Sequence, residues 1–305
     1  MMSLEKALKK ERVFLALTGV TPSEFINLVP TFTQCFDQSR WDRYHADRKR
    51  QRQPGGGKVP FAKTTEAKLF YVLWYHKCYP TYDVAGFFYD RDRANVKRGK
   101  DNWTPILEAA LGKKLVLPKR QIRSVEEFLE IFPEAKEVFI DGTERPIQRP
   151  KDRAKQKCNY SGKKKRHTRK NLIVSNRKKR IGIVTKTVEG KEHDFSILKT
   201  TRLPDHIPKD IRIRVDNGFQ GIEKEFPGHR VSMQTKKPKG RELSKTVKER
   251  NKAKSRVRVL VEHAIGGMKR FRIVSDVFRN KAEGADDYAI LIASGLWNYH
   301  LAEAN

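Results

Sequence analysis

Three acidic residues, Asp141, Asp216 and Glu262, have the side-chain type and the setting that metal-dependent phosphodiester chemistry needs. Asp141 ends the β-prone run 138–141 and Asp216 ends the run 211–216, and turn-forming residues follow each. We therefore expect both carboxylates to project from strand ends into loops. Carboxylate oxygens are good ligands for Mg²⁺, and two such ions about 4 Å apart can hold the attacking and leaving oxygens of a phosphodiester. The three acids are predicted to be catalytic and to bind the metal.

Glu262 belongs to the stretch 256–270, whose apolar spacing predicts a helix. Arg258, four residues before Glu262, and Lys269, seven after it, fall on a charged row turned by about 100° from the apolar stripe. The Glu262 carboxylate would therefore lie at the boundary between the buried apolar stripe and a solvent-exposed groove. An ordinary ion pair with Arg258 is an alternative interpretation of Glu262. The apolar stripe consists of Val257, Val261, Ala264 and Met268.

The elements that must position these acids are a group of short strands and two long helices. β-Branched and alternating runs predict an antiparallel meander that is followed by further strands. This pattern by itself leaves α/β and α+β folds open. The strands are expected at 138–141, 171–175, 181–188, 211–216 and 229–234, and the helices at 245–271 and 285–301.

The motifs occur in an order that resembles DDE insertion-sequence transposases, in the branch that includes Harbinger-like elements and the DDE superfamily endonucleases. One departure is Ser255, which stands where that family often has a tyrosine three residues before the arginine. The resemblance rests on IDGTERPI (140–147), YSGKKKRHT (160–168), GKEHD (190–194), VDNGFQG (215–221) and RVLVEHAIGGMKRF (258–271).

The resemblance implies a DNA transposase that binds element ends and catalyses metal-dependent phosphodiester cleavage and strand transfer. Asp141, Asp216 and Glu262 would bind two Mg²⁺ ions, with Mn²⁺ as a substitute, while Arg258 and Lys269 hold phosphates. The implied partners are the terminal inverted repeats, target DNA and a second copy of the chain, in a homodimer or a larger assembly. A catalytically inactive or domesticated DNA-binding derivative and a basic RNA-binding protein are the alternatives.

The same resemblance implies an α/β fold with a ribonuclease-H-like mixed sheet flanked by helices at 119–305. An N-terminal all-α domain at 1–118 would precede it and bind DNA. Helices expected at 64–79, 82–88 and 92–111 suit a helix-turn-helix, in which the last helix enters the major groove. The DNA contacts expected there are Arg91, Arg93, Asn95, Lys97, Arg98 and Lys100, although a solvated helix face is the alternative.

Two further segments are strongly basic. Residues 149–170 are expected to form a hairpin loop beside the site, because aromatic side chains between the charges suit stacking and phosphate contact. A basic arm without contacts is the alternative. Residues 40–58 are expected to be a mobile loop that either meets phosphates or only links helices. The contacts predicted for 149–170 are Tyr160, Lys163, Lys164, Lys165, Arg166 and His167.

His193 and Asp194 form a secondary candidate pair, because Asp194 rivals Asp216 for the second catalytic position. The simpler interpretation is that Asp194 caps a helix. Gly142 and Gly218 are expected to leave room for substrate beside the two aspartates.

The composition agrees with a polyanionic partner. The 66 Lys and Arg exceed the 36 Asp and Glu, so the net charge is +30, and no apolar run approaches 18 residues. The three cysteines are widely spaced, which favours neither a disulfide framework nor a zinc site. Without a recognisable export signal, we expect a cytoplasmic protein, associated with the nucleoid if the host is prokaryotic.

Overall fold

The computed structural model describes residues 2–46, 53, 60–238 and 240–304. The chain divides into two compact units. The helical unit contains Met1–Leu117, Arg270–Ile273 and Asn298–Asn305, and the sheet unit contains Pro118–Lys269 and Val274–Trp297. The assignment of DNA binding to residues 1–118 and of catalysis to residues 119–305 stays a prediction.

The helical unit begins with two short helices and continues with longer ones. Side chains cap several N termini, since Thr64, Thr81 and Asp92 each accept a backbone N–H of the first helical turn that follows. The helices expected at 64–79, 82–88 and 92–111 are present, while their identity as a helix-turn-helix stays a prediction. The helices are α1 (Leu4–Leu8), α2 (Glu11–Thr18), α3 (Pro22–Ala46), α4 (Thr65–Cys78), α5 (Tyr82–Tyr89) and α6 (Arg93–Lys113).

The core of the helical unit is built around α4, which is buried from Lys68 to His76. Tyr71 lies at its centre, and its hydroxyl donates to the Val96 carbonyl of α6 at 2.7 Å. The Lys68 ammonium donates to the Lys63 and Thr64 carbonyls, so this buried charge is satisfied.

Among the described residues, no single helix has the length and hydrophobicity needed to span a membrane. α2 and α3 meet both criteria only when they are taken together, and that pair is bent by 53°.

The expected loop at 40–58 is wrong at its start, because α3 continues to Ala46. Local pairs support the extra turns: Arg40 lies 3.6 Å from Asp37, and Gln38 donates to Asp42 at 2.7 Å. Residues 47–52 and 54–59 lie outside the described residues.

The sheet unit contains one mixed sheet with helices on both faces. Its strands are β1 (Glu137–Pro146), β2 (Tyr160–Ser161), β3 (Arg166–Ser175), β4 (Ile181–Val184), β5 (Val188–Glu189), β6 (Arg212–Arg214) and β7 (Arg230–Ser232). Its helices are α7 (Val125–Ile131), α8 (Arg153–Asn159), α9 (Asp194–Thr201), α10 (Ile222–Glu225) and α11 (Lys245–Lys269). The chain ends with α12 (Arg272–Ser275) and α13 (Ala285–Glu303), which the division between the two units crosses.

The strand order is β2-β3-β1-β6-β7, and β4 and β5 also pair with β3. β3 runs antiparallel to both β1 and β4, so the expected meander is confirmed. β6 is parallel to β1, and β7 is parallel to β6. A mixed α/β sheet flanked by helices is therefore present, while the ribonuclease-H-like assignment stays a prediction.

Asp141 does not end its strand, contrary to expectation. β1 continues for five residues beyond it, because residues 142–146 keep pairing with β3 as far as Thr168. The long β3 partner thus outweighs the turn tendency of Gly142 and Thr143. Asp141 lies in the middle of a strand, opposite Ile173.

Successive side chains of β1 point to opposite faces of the sheet, so the two faces carry different kinds of residue. Val138 and Ile140 enter a core with Ile197 and Leu198 of α9. The opposite face carries Asp141, Thr143 and Arg145 and turns toward the α11 and α13 side. α11 contacts β1 and β3, and Val261, Ala264 and Met268 of the expected stripe are buried, with Val257 half-buried.

Arg145 anchors the start of α13 to this face. Its guanidinium is fully buried and donates to the Asp286 carbonyl at 2.7 Å, to Asn171 Oδ1 at 2.9 Å and to Thr187 Oγ1 at 3.0 Å. Removing one partner from such a buried network costs about 3–5 kcal/mol. Arg145, four residues after Asp141 on β1, therefore gives rigid support to the face of the sheet that carries Asp141.

Candidate active site

Three structural elements carry the three predicted acids. Asp141 lies in β1, Asp216 begins the short 3-10 turn Asn217–Phe219 after β6, and Glu262 lies in α11. Asp141 Oδ1 accepts the Gly142 N–H at 2.8 Å, and Asp216 Oδ1 accepts the Gly218 N–H at 2.8 Å. These bonds fix one oxygen of each aspartate and leave the other oxygen available.

Arg258 connects the acids from α11. Its Nη2 lies 2.9 Å from Glu262 Oε1, and its Nη1 lies 3.9 Å from Asp216 Oδ2. The i, i+4 ion pair of Glu262 therefore exists, and the same guanidinium also reaches the second acid. Asp141 lies close enough that the charges of both Asp216 and Arg258 affect its pKa. Arg258 thus joins Asp216 to Glu262 and lies near Asp141, while the catalytic roles of the three acids stay a prediction.

The electrostatics at Asp141 disfavour its charged form. Burial raises the pKa of Asp141 to about 6, and the Asp216 carboxylate adds to this rise. The Gly142 N–H and the Arg258 guanidinium oppose it. A cation would stabilise the charged form of this half-buried carboxylate beside a second carboxylate.

The donor set suits an Mg²⁺ ion, since it consists of carboxylate oxygens from three elements. In the part of the chain that the structure describes, no group of three or more His, Cys, Asp or Glu side chains is already arranged around a metal position. The reason is visible at Arg258, whose guanidinium lies between Asp216 and Glu262. The residues therefore fit a divalent ion by the chemistry of their carboxylate oxygens, while Glu262 is paired with Arg258 in this structure.

Asp194 lies on the other face of β1, and its charge also adds to the rise in the pKa of Asp141, so its rivalry with Asp216 stays a prediction. Its carboxyl fills the space that a Cβ at Gly142 would occupy, at 2.6–2.7 Å. Gly142 thus makes room for Asp194 and not for substrate, contrary to expectation. The expected helix cap is also wrong, because exposed His193 holds the cap position without a side-chain cap bond and Asp194 is the first helical residue. Gly218, in contrast, lets its own N–H approach Asp216.

Lys170 and Glu144 support Asp194, and no sequence motif identified either residue beforehand. Lys170 Nζ lies 3.4 Å from both Glu144 Oε1 and Asp194 Oδ1, and it donates to the Glu192 carbonyl at 2.7 Å. Glu144 and Lys170 are direct cross-strand partners. A charged residue directly before the β-prone run 171–175 was the available signal.

Lys269 follows Glu262 by two helical turns, as the spacing predicted. Its ammonium donates to the Glu144 carbonyl at 2.9 Å. Burial lowers the pKa of Lys269 to about 8, and the nearby Lys164 ammonium lowers it further. Lys269 therefore lies between the acids and the basic hairpin, in contact with β1.

The expected hairpin loop at 149–170 contains a helix, α8, before the hairpin formed by β2 and β3. Tyr160 packs edge-on against His167, with ring centroids 5.6 Å apart. The side chains at the hairpin turn are exposed, and Lys164 is near enough to influence Lys269. The exposed basic residues are Lys163, Lys164, Lys165 and Arg166.

The predicted DNA contacts of the helical unit are mostly exposed but have partners within the chain. Arg93 lies 3.5 Å from Asp83, and Lys97 lies 2.6 Å from Asp101. Arg98 donates to Asn95. The remaining candidates are Arg91, which lies 3.9 Å from Asp90, and half-buried Lys100, which lies 3.2 Å from Asp101.

Two comparisons with known proteins agree with this geometry. The family model described as DDE superfamily endonuclease matches residues 140–298, a range that includes all three acids. A protein of Microchaete diplosiphon, described as "Probable transposase for insertion sequence element IS702", is 32% identical over 303 residues, with 99% of each chain covered. No solved structure matches the chain. The resemblance seen in the sequence motifs is confirmed.

Replacing Asp141 by asparagine is expected to stabilise the metal-free protein at neutral pH. With a pKa near 6 in the folded state and near 4 in the unfolded state, Asp141 binds more protons when folded between pH 4 and 6. Its contribution to stability therefore falls as the pH rises through this window. Urea unfolding in EDTA should show Asp141→Asn more stable by up to about 3 kcal/mol at pH 7.5 and equal to the wild type at pH 4. Exposed Asp210→Asn is the control, and equal stability at both pH values would contradict the burial of Asp141.

Gly142→Ala is expected to destabilise the sheet unit, because the new methyl would lie 2.6 Å from the Asp194 carboxyl. Overpacking of this kind costs about 1–3 kcal/mol. Gly162→Ala is the matched control, since nothing lies within 4 Å of a Cβ there. In a double-mutant cycle, Asp194→Ala should remove most of the cost of Gly142→Ala. Additive effects of the two changes would show that Asp194 does not occupy this space.

Proposed function

Because the chain belongs to the DDE superfamily endonucleases, we propose that it is a transposase that cuts DNA at element ends and joins them to target DNA. The observation that carries this proposal is the convergence of Asp141, Asp216 and Glu262, from three separate elements, around Arg258. Family members generally use divalent metal ions, and the oxygen-only set of side chains fits them.

Asp141 and Asp216 would hold one Mg²⁺ ion, and Glu262 would complete the site of a second, with Mn²⁺ as a substitute. Such ions supply charge stabilisation at the attacking and leaving oxygens of the phosphodiester. Water is the nucleophile for cleavage and a 3′ hydroxyl is the nucleophile for strand transfer, and in each reaction the bond from phosphorus to the leaving oxygen breaks. The acids act as ligands, so no covalent enzyme intermediate forms.

Arg258 would turn from Glu262 to a DNA phosphate when the acids take up cations. Its guanidinium offers two parallel N–H donors, which match phosphate oxygens. Lys269 would add a positive charge near the cleaved bond. Its ammonium donates to the backbone carbonyl of Glu144, which is neutral and does not cancel that charge. These two residues would hold phosphates beside the acids.

The hairpin would guide the DNA toward the acids. Its turn carries exposed positive side chains beside Tyr160, which is 44% exposed and able to stack on a base. The residues proposed there are Lys163, Lys164, Lys165, Arg166 and His167. In the helical unit, DNA would contact α6 and the turn before it, within a helix-turn-helix made of α4, α5 and α6. The contacts proposed there are Arg91, Arg93, Asn95, Lys97, Arg98 and Lys100.

The sheet order supports a ribonuclease-H-like catalytic domain. β1 lies between antiparallel β3 and parallel β6, and the acids of β1 and of the β6 end meet on one side. In this proposal residues 1–118 bind DNA, and residues 119–305 cut and join it.

The test is cleavage of DNA that carries the terminal inverted repeats flanking the gene. Asp141→Asn, Asp216→Asn and Glu262→Gln should each reduce Mg²⁺-dependent cleavage by about 100-fold or more, because bound metal contributes several kcal/mol to the transition state. DNA binding, measured by gel shift, should remain. Glu249→Gln, an exposed change on the same helix, is the control and should cleave normally.

Cleavage that survives Asp141→Asn, or that proceeds in EDTA, would contradict the proposed chemistry. A wild-type chain that binds the repeats but never cuts them would instead be a catalytically inactive derivative.

A further inference from the structure

A cavity at one end of the sheet is lined by positive side chains that the proposed chemistry does not use. Its volume is about 900 Å³, and it lies where β1, β6 and β7 begin and where the turn between β3 and β4 passes. Six cations line it together with three acids, Glu134, Glu137 and Asp210, so the lining has a net charge of +3. The six cations, called the basic rim below, are Lys136, Arg177, Lys178, Arg180, Arg212 and Arg230.

The basic rim is separate from the three acids, although the same strands lead to both. Glu137 and Arg212 are register partners at the starts of β1 and β6. Asp141 follows Glu137 by four residues, and Asp216 follows Arg212 by four residues. Four residues of extended chain span roughly 13 Å. A phosphate bound at the basic rim is therefore not the phosphate that the acids would cut.

The sheet arranges the cations of the basic rim in a row. Arg212 and Arg230 are register partners on parallel β6 and β7, so their backbones lie about 4.8 Å apart and their side chains point to the same face. Beyond Glu137 on neighbouring β1, the turn after β3 adds Arg177 and Lys178. A nucleic-acid backbone carries phosphates at short, regular intervals, so it can meet such a row at several points. A small anion would meet it at one point only.

Glu137 holds the centre of the basic rim in place. Its carboxylate is 6% exposed, accepts hydrogen bonds from Arg177 and, at 2.7 Å, from Arg214, and lies 4.0 Å from Arg212. Burial alone would raise the pKa of Glu137, but the hydrogen bonds from the two arginines lower it overall, so this acid stays ionised at neutral pH. One negative charge is thus shared by three guanidiniums, and an excess of positive charge remains.

The arginines around Glu137 keep donors for a ligand. The side chain of Arg177 is 65% exposed and that of Arg212 is 52% exposed. A guanidinium has five N–H donors, and its contact with Glu137 occupies only some of them. Because Glu137 restricts the positions of these side chains, a bound phosphate would meet donors that are already oriented.

The charge of the basic rim excludes a cation as its ligand and favours an acidic one. Among acidic ligands, DNA is favoured, because the chain has a net charge of +30 and belongs to the DDE superfamily endonucleases. Arginine and lysine side chains that contact the DNA backbone position a duplex without reading its sequence.

We propose that the basic rim is a second DNA-backbone site, which holds phosphates of a duplex away from the phosphodiester that the acids would cut. The inference rests on the proposed function in taking DNA as the partner, but it concerns binding without cleavage. Because the contacts are to phosphates, the basic rim would bind inverted repeats and unrelated DNA alike.

The first test replaces three exposed cations of the basic rim together, in the variant Lys178→Gln/Arg212→Gln/Arg230→Gln. Fluorescence anisotropy measures binding of the full chain to a long duplex of arbitrary sequence, in EDTA and over a range of salt concentrations. Each lost phosphate contact lowers the slope of log affinity against log salt by about 0.9. The slope should therefore fall by about 2 to 3, and the affinity at low salt should fall by about 10-fold or more.

The matched control removes the same total charge from exposed lysines of the sheet unit that lie outside the basic rim, in Lys186→Gln/Lys199→Gln/Lys224→Gln. It should change the slope by less than about 1. Equal losses in the two triple variants would overturn the proposal, because total charge alone would then explain the binding. A rim variant that binds DNA as tightly as wild type would overturn it as well.

A second measurement locates the DNA without weakening its binding. In a Cys158→Ser background, which removes the exposed native thiol, a photoreactive aryl azide is attached at Glu134→Cys in the lining of the cavity. Irradiation should cross-link this position to the bound duplex. Glu223→Cys removes an equal charge from an exposed position on α10 and should not cross-link.

Equal cross-linking at both positions, or none at Glu134→Cys, would overturn the proposal. Excess ATP that abolishes the cross-link while the DNA stays bound would assign the basic rim to a free phosphate ligand, which would also overturn it. A wild type that cuts DNA although its basic rim is inert would leave the transposase proposal intact. A basic rim that binds DNA in a chain that never cuts would support this inference and contradict the transposase chemistry.

Discussion

The site depends on one electrostatic constraint. Negatively charged carboxylates from separate structural elements must be held close together beside strand β1. Asp141 is half-buried and lies near Asp216, so its ionisation is opposed by both desolvation and repulsion. Arg258 offsets part of this cost by pairing with Asp216 and Glu262. A cation bound between these carboxylates would offset both penalties, which is the physical reason for the metal site that we propose here.

The strand that carries Asp141 is fixed from both faces. On one face Asp194 fits against Gly142, with Lys170 and Glu144 around it, and the N–H of Gly142 holds the Asp141 carboxylate. On the other face Arg145 joins the strand to the start of α13. Asp141 is therefore supported by buried polar contacts as well as by β-sheet pairing. Such support restricts the position of a ligand more closely than apolar packing does, since each buried polar group must keep its partner.

Much of this could be predicted from the sequence, and the failures have physical causes. The 3.6-residue period of α11 correctly gave its buried stripe, because that helix packs on the sheet along one side. The ends of elements were harder, since the length of β1 is set by its partner β3 and the extension of α3 by local pairs. Asp194 illustrates the limit most clearly: its place under Gly142 depends on which face of β1 meets α9, and no local pattern contains that information.

The central claim is that the three acids together bind two metal ions, and diffraction from crystals grown with Mn²⁺ tests it most directly. Anomalous scattering locates manganese independently of any activity. The account predicts one manganese within about 2.0–2.4 Å of carboxylate oxygens of Asp141 and Asp216, a second manganese at Glu262, and Arg258 turned away from Glu262. Manganese bound elsewhere, or Glu262 still paired with Arg258 at saturating Mn²⁺, would contradict the account.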